Sequence, residues 1–153
     1  MKNYLLFLIF FMCMTASAQN TPEEKTYRTT EVDIKPDLKN GMYTLRMFVS
    51  QNFNIPAEIK NKKITVFTSF IIEPDGMMTD EKSFYISVKD YMPADVVAIQ
   101  TEEQKAAESK LYDAMKVEAA RVLSLFNESW IPAQIGGKPV KCLYNYPISF
   151  NIE

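Results

Sequence analysis

The chain contains no histidine. That removes both the commonest general base near neutral pH and the commonest zinc ligand. Glycine is scarce, and Gly41, Gly76, Gly136 and Gly137 match neither a phosphate-binding loop nor a dinucleotide fingerprint. A formal net charge of −2 leaves no basic stripe of the kind a nucleic-acid binder carries. Serine and threonine hydroxyls are present, but no pattern marks a base that would activate one. The carboxylates Glu73, Asp75, Asp80 and Glu81 gather without EF-hand spacing, so they read as a solvated turn. Together these absences predict a protein that is not an enzyme and holds no metal or cofactor.

Long hydrophobic runs are also missing. The longest, Tyr4 to Met14, is about half of the ~20 residues a helix needs to cross a bilayer. Lys2 precedes it and Ala16-Ser17-Ala18 follows it, the pattern of a signal peptide over residues 1–18 cleaved after Ala18. The expected product is a periplasmic protein with no membrane span. Lipidation of Cys13 is the alternative, but Phe10, Phe11 and Met12 stand where such a signal has small residues. Cleavage would take Lys2 and Cys13 away, moving the formal charge from −2 to −3 and leaving Cys142 alone. A lone cysteine makes no internal disulfide, and an exported one can be a free thiol or an intermolecular link. The place of Cys142 in an apolar register favours a small buried hydrophobe.

What remains is ordinary in bulk: 153 residues, 47% hydrophobic and 24% charged, enough for one domain with a core. Residues 19–30 are polar and aperiodic and are expected to be a flexible lead, with the domain over 31–153. A helical pattern is expected from Asp37 to about Gln51, with Tyr43, Met47, Leu45 and Phe48 apolar. Lys62 to Glu73 reads as a strand with Ile64, Val66, Phe70 and Ile72 on one face. Pro74-Asp75-Gly76 reads as its hairpin turn, since proline presets φ and glycine accepts φ > 0. The return strand is expected over Met78 to Val88, with Phe84, Ile86 and Val88 in register, and a loop around Tyr91-Met92-Pro93 follows. Thr101 and Gln104 form a capping box before Leu111, Met115, Ala119, Val122 and Phe126, one face of a long helix. Lysines gather at Lys60, Lys62 and Lys63 and at Lys138 and Lys141; they read as solvated surface, with anionic headgroups or an acidic partner as the alternative.

The last strand begins at Val140, with Val140, Cys142, Tyr144, Tyr146, Ile148, Phe150 and Ile152 apolar or aromatic. Pro147 lies inside it, and because proline has no N–H it is tolerable only on a free edge or at a bulge. The order α-β-β-α-β predicts an α+β two-layer sandwich: a three-stranded antiparallel sheet covered by two helices. The first long strand is expected in the centre and the last strand at an edge. The odd-numbered residues of that last strand would then turn their backbone groups outward.

Four stretches resemble the C-terminal domain of TonB-type energy transducers over Glu31 to Glu153. They are "EVDIKPDLKNGMYTLRMFVSQNFNIPAEI", "FIIEPDG", "WIPAQIGGKPV" and "YPISFNI". Trp130, Pro132, Gly76 and Gly137 carry the structural part of the motif. The chain departs from the family at Ala133 and Ile64, where glycine is usual, and its 89–104 stretch and second helix look expanded. A membrane anchor and a long Pro-rich spacer are not recognisable. The resemblance implies fold and binding mode more than energy transduction. In that family the last strand accepts an extended segment of an outer-membrane transporter. By position the implied binding residues are Lys141, Leu143, Asn145, Pro147, Ser149 and Asn151. The alternatives are a solvated edge, or a homo-oligomeric module of the cell envelope that pairs copies through the same edge.

Overall fold

The computed structural model describes residues 25–91 and 100–153. The expected signal peptide and most of the expected loop at Tyr91-Met92-Pro93 lie outside the described residues. The long elements follow the expected order. Helix α1 spans Met42–Asn52, strand β3 Lys62–Ile72, strand β4 Met78–Asp90, helix α2 Glu102–Ser124 and strand β8 Cys142–Ile152. Short strands lie around them: β1 Tyr27–Arg28, β2 Asp37–Leu38, β5 Trp130–Ile131, β6 Ala133–Ile135 and β7 Lys138–Val140. The architecture is α+β, with both helices on one face of the main sheet.

That sheet has four strands in the order β1-β8-β3-β4, not the expected three. The fourth is β1, taken from the end of the segment 19–30 expected to be a flexible lead: Tyr27 pairs with Cys142 and Arg28 with Leu143, in parallel. Two residues are too short to show any hydrophobic period, so β1 was not readable from pattern. Strand β3 is interior, antiparallel to β4 on one side and to β8 on the other. Its even-numbered residues Ile64, Val66, Thr68, Phe70 and Ile72 are buried, while the odd-numbered ones face the open side. Inside the core, the Thr68 hydroxyl donates to the Tyr146 carbonyl, so its burial leaves no orphaned donor.

Both helices bury one stripe. On α2, Met115, Ala119, Val122 and Leu123 are buried, and the Thr101–Gln104 capping box forms as expected. Phe126, expected on the same stripe, lies just past the helix end but is buried, with Phe48 of α1 at 5.3 Å in an edge-on contact. Helix α1 begins at Met42 and not near Asp37. Residues Asp37 and Leu38 instead pair with Ile131 and Trp130, and the positive φ of Gly41 breaks the chain between strand and helix. The face of α1 also differs from expectation. Leu45 and Val49, four residues apart, are buried, whereas Tyr43 is 65% exposed. The short pattern fitted two faces, and packing against β8 and α2 selected the one that includes Val49.

The hairpin at Glu73–Met77 is built as its residues dictate. Gly76 N–H donates to the Glu73 carbonyl at 2.9 Å, Gly76 has φ 85°, and Asp75 Oδ1 accepts from Met77 N–H. Strand β4 is less regular than expected. Its register against β3 shifts twice, leaving Phe84 without a partner and placing Asp80 at φ 56°. Phe84 is therefore not in register with Ile86 and Val88 and is 60% exposed. Val140 likewise leaves the last strand: it pairs with Ala133 in a small hairpin turned by Gly136 and Gly137, at φ 56° and 75°. Two successive positive φ values suit the right-handed twist of a two-residue turn, and the Asp33 carboxylate accepts from Gly136 N–H at 2.7 Å.

Candidate functional site

Pairing against β3 runs without a shift from Lys62↔Ile152 to Ile72↔Cys142, so β8 is a straight strand. Its even-numbered side chains turn to the core, where Cys142 and Ile148 are buried and Tyr144 and Phe150 pack against the cluster. Its odd-numbered residues direct their backbone groups away from β3, in phase with Lys141 just before the strand, whose carbonyl accepts the Tyr27 N–H at 2.9 Å. Strand β1 covers this outer side only as far as Leu143. Among the described residues, no strand covers the edge from Tyr144 to Ile152.

The six residues implied as binding positions therefore divide. Lys141 and Leu143 lie under β1, and the Lys141 ammonium is also held by Glu73 at 3.1 Å. Asn145, Pro147, Ser149 and Asn151 lie on the uncovered length, all exposed. Asn145, Ser149 and Asn151 offer outward N–H donors there. Pro147 offers only its carbonyl, which is why a proline is tolerated at the middle of this strand.

Helix α1 supplies one wall beside this edge. A cleft of about 330 Å³ is lined by Arg46, Val49 and Ser50 of α1 and by residues 146–150 of β8. A strand laid on β8 would send alternate side chains into this cleft and the others toward the open face of the sheet. Sequence reasoning missed Arg46 and Ser50 as lining residues, because only docking of the helix beside β8 brings them to the edge. The Tyr146 phenol is raised above its usual range by burial, with Arg46 pulling it back.

The structural residues meet at one place. Trp130 is buried between Phe70 and Tyr144, with ring centroids at 5.4 and 5.2 Å. Its backbone N–H donates to the Gly76 carbonyl at 2.9 Å, and a Cβ on Gly76 would come within 2.3 Å of the Trp130 carbonyl oxygen. Gly76 and Trp130 thus lock the hairpin against the connection that leads into β8. Pro132 separates β5 from β6, and Gly137 turns the β6–β7 hairpin.

Other candidate groups are structural. Burial, and then the charge of Glu31, raise the Cys142 thiol above its usual range, so it is not a poised thiolate. Lys62 is not a freely solvated lysine, since its ammonium meets Asp90 at 2.5 Å and Glu108 at 2.9 Å. Burial alone would lower its pKa, but these hydrogen bonds outweigh it and hold the ammonium above the lysine range. Glu108 also accepts from Tyr112 and Gln100, so the cluster ties the start of α2 to the ends of β3 and β4.

The two sheet edges differ. Strand β4 carries two bulges and an Asp80–Lys82 ion pair at 2.7 Å, devices that discourage pairing with another strand. Strand β8 has no bulge, and Pro147 is the one residue that interrupts its outer donors. No helix among the described residues is long and apolar enough to cross a membrane. Compared with known proteins, the chain matches no family model, no curated protein and no solved structure.

Proposed function

We propose that the chain is a non-catalytic, periplasmic protein-binding module of the TonB C-terminal type. It accepts an extended partner segment along residues 144–152 of β8, and the resemblance implies an outer-membrane transporter as the source of that segment. The observation that carries the reading is the asymmetry of the sheet. One edge is bulged and charged, and the other is straight, regular and open beside a helix-walled cleft. Exposed straight edges are liabilities unless they are used. Main-chain bonds along Asn145, Ser149 and Asn151 would supply affinity, and side chains entering the cleft beside Arg46 would supply selectivity.

Amide hydrogen exchange, with candidate periplasm-facing transporter peptides added to the purified chain, tests this. Slowed exchange at Asn145, Ser149 and Asn151, with β4 unaffected, is the expected result. Protection confined to β4, or none along 144–152 with any of the peptides, refutes it. The same free edge also suits pairing between two copies, which is the second reading. Light scattering that shows a concentration-dependent dimer, with the same amides protected in it, would select that reading.

A further inference from the structure

The face of the sheet turned away from the helices presents ordered rows across three strands. Asn151, Lys63 and Lys89 form one row, Ser149, Thr65 and Ser87 the next, and Pro147, Phe67 and Tyr85 the third. Successive rows are about 7 Å apart, two residues along a strand. The first row sets two lysines directly opposite each other, an arrangement that destabilises a sheet. Among the described residues, no carboxylate lies within ion-pair distance of either. The second row is all hydroxyl, with Thr65 Oγ1 and Ser149 Oγ 3.0 Å apart. In the third, the bulge in β4 turns Phe84 as well as Tyr85 toward Phe67, with centroids 6.5 and 5.5 Å away. Lys63, Thr65, Phe67, Ser87, Lys89 and Ser149 line a recess of about 300 Å³.

A solvated sheet face needs polar residues, but it does not need two cations facing each other beside a cluster of rings, with no ion-pair partner among the described residues. We propose that this recess binds a soluble phosphorylated sugar. The phosphate sits between the Lys63 and Lys89 ammoniums, point charges suited to phosphate. The sugar hydroxyls exchange hydrogen bonds with Thr65, Ser87 and Ser149. The C–H face of the ring lies toward Phe67, the aromatic residue that lines the recess. The lysines and hydroxyls are set in a recess, which suits a discrete small molecule better than a flat lipid surface. A strand added to the edge of β8 would place side chains beside Ser149 at the rim of this recess, while Lys63, Thr65, Phe67, Ser87 and Lys89 lie on β3 and β4 away from that edge, so sugar-phosphate binding is tested on the chain alone.

The test is an NMR titration of the full chain with glucose 6-phosphate, run beside glucose, inorganic phosphate and phosphatidylglycerol vesicles. Saturable shifts at Thr65, Phe67, Ser87 and Ser149 are expected with the sugar phosphate. Glucose and phosphate alone should bind at least about tenfold more weakly, a difference of ~1.4 kcal/mol. The Lys63→Gln/Lys89→Gln variant should weaken the sugar phosphate by about tenfold or more. Its unfolding midpoint should be unchanged or higher, because a like-charge pair is removed. Equal binding of inorganic phosphate, stronger binding to the vesicles, no saturable shift, or full binding by the double variant would each overturn the proposal.

Discussion

Gly76→Ala tests the lock between the hairpin and the segment leading into β8. Gly76 has φ 85°, a region that costs an L-residue roughly 1–2 kcal/mol. Gly137, at φ 75°, carries the same backbone penalty, but a Cβ there meets nothing within 4 Å. At Gly76 the Cβ would lie 2.3 Å from the Trp130 carbonyl oxygen, a backbone atom that cannot rotate away. The two segments must separate, and the Trp130 N–H bond to the Gly76 carbonyl is stretched or lost. An unsatisfied buried donor costs about 1–3 kcal/mol. Gly76→Ala should therefore destabilise by about 2–5 kcal/mol, and Gly137→Ala by only the 1–2 kcal/mol of backbone strain. Trp130 is the only tryptophan in the chain and is buried, so its fluorescence in a urea titration reports both unfolding and local separation. Equal losses for the two variants, within about 0.5 kcal/mol, would refute the close-approach argument.

Two further outcomes are expected. Trp130→Ala should cost about 3–5 kcal/mol, since it empties a site enclosed by Phe70 and Tyr144. Trp130→Phe should cost less, because the indole N–H has no partner among the described residues; circular dichroism melts of both variants check the ranking. Hydrogen bonds from Arg121, with others from Asn54 and against the opposing effect of burial, lower the Glu118 carboxyl from 4.5 to about 2. A depressed carboxyl stabilises the fold above its unfolded pKa and loses that contribution as pH falls through the folded one. The stability gap between the wild type and Glu118→Gln should thus be full at pH 7 and shrink from about pH 4.5 toward pH 2. Urea titrations across that range measure it, and a gap that is constant with pH would contradict the assignment.

The sequence by itself determined the features set by neighbouring residues. The capping box at Thr101 and Gln104, the hairpin at Pro74-Asp75-Gly76 and the alternation along β3 and β8 depend on side-chain direction and backbone dihedrals within a few positions. These are fully encoded locally. The outward direction of the odd-numbered backbone groups on β8 was likewise legible, because a proline inside a strand restricts which side can be left unpaired.

Only tertiary structure decided the rest. The burial of Val49 in place of Tyr43 on α1 came from packing, since an eleven-residue helix with scattered apolar positions fits more than one face. Strand β1 exists because Tyr27 and Arg28 meet β8 more than a hundred positions away, and two residues carry no period of their own. That contact also settled which part of the candidate site is open, covering Lys141 and Leu143 and leaving Asn145, Pro147, Ser149 and Asn151. The bulges of β4 and the pairing of Lys63 with Lys89 have the same origin. Register between strands is a property of two segments at once, so neither segment read alone contains it.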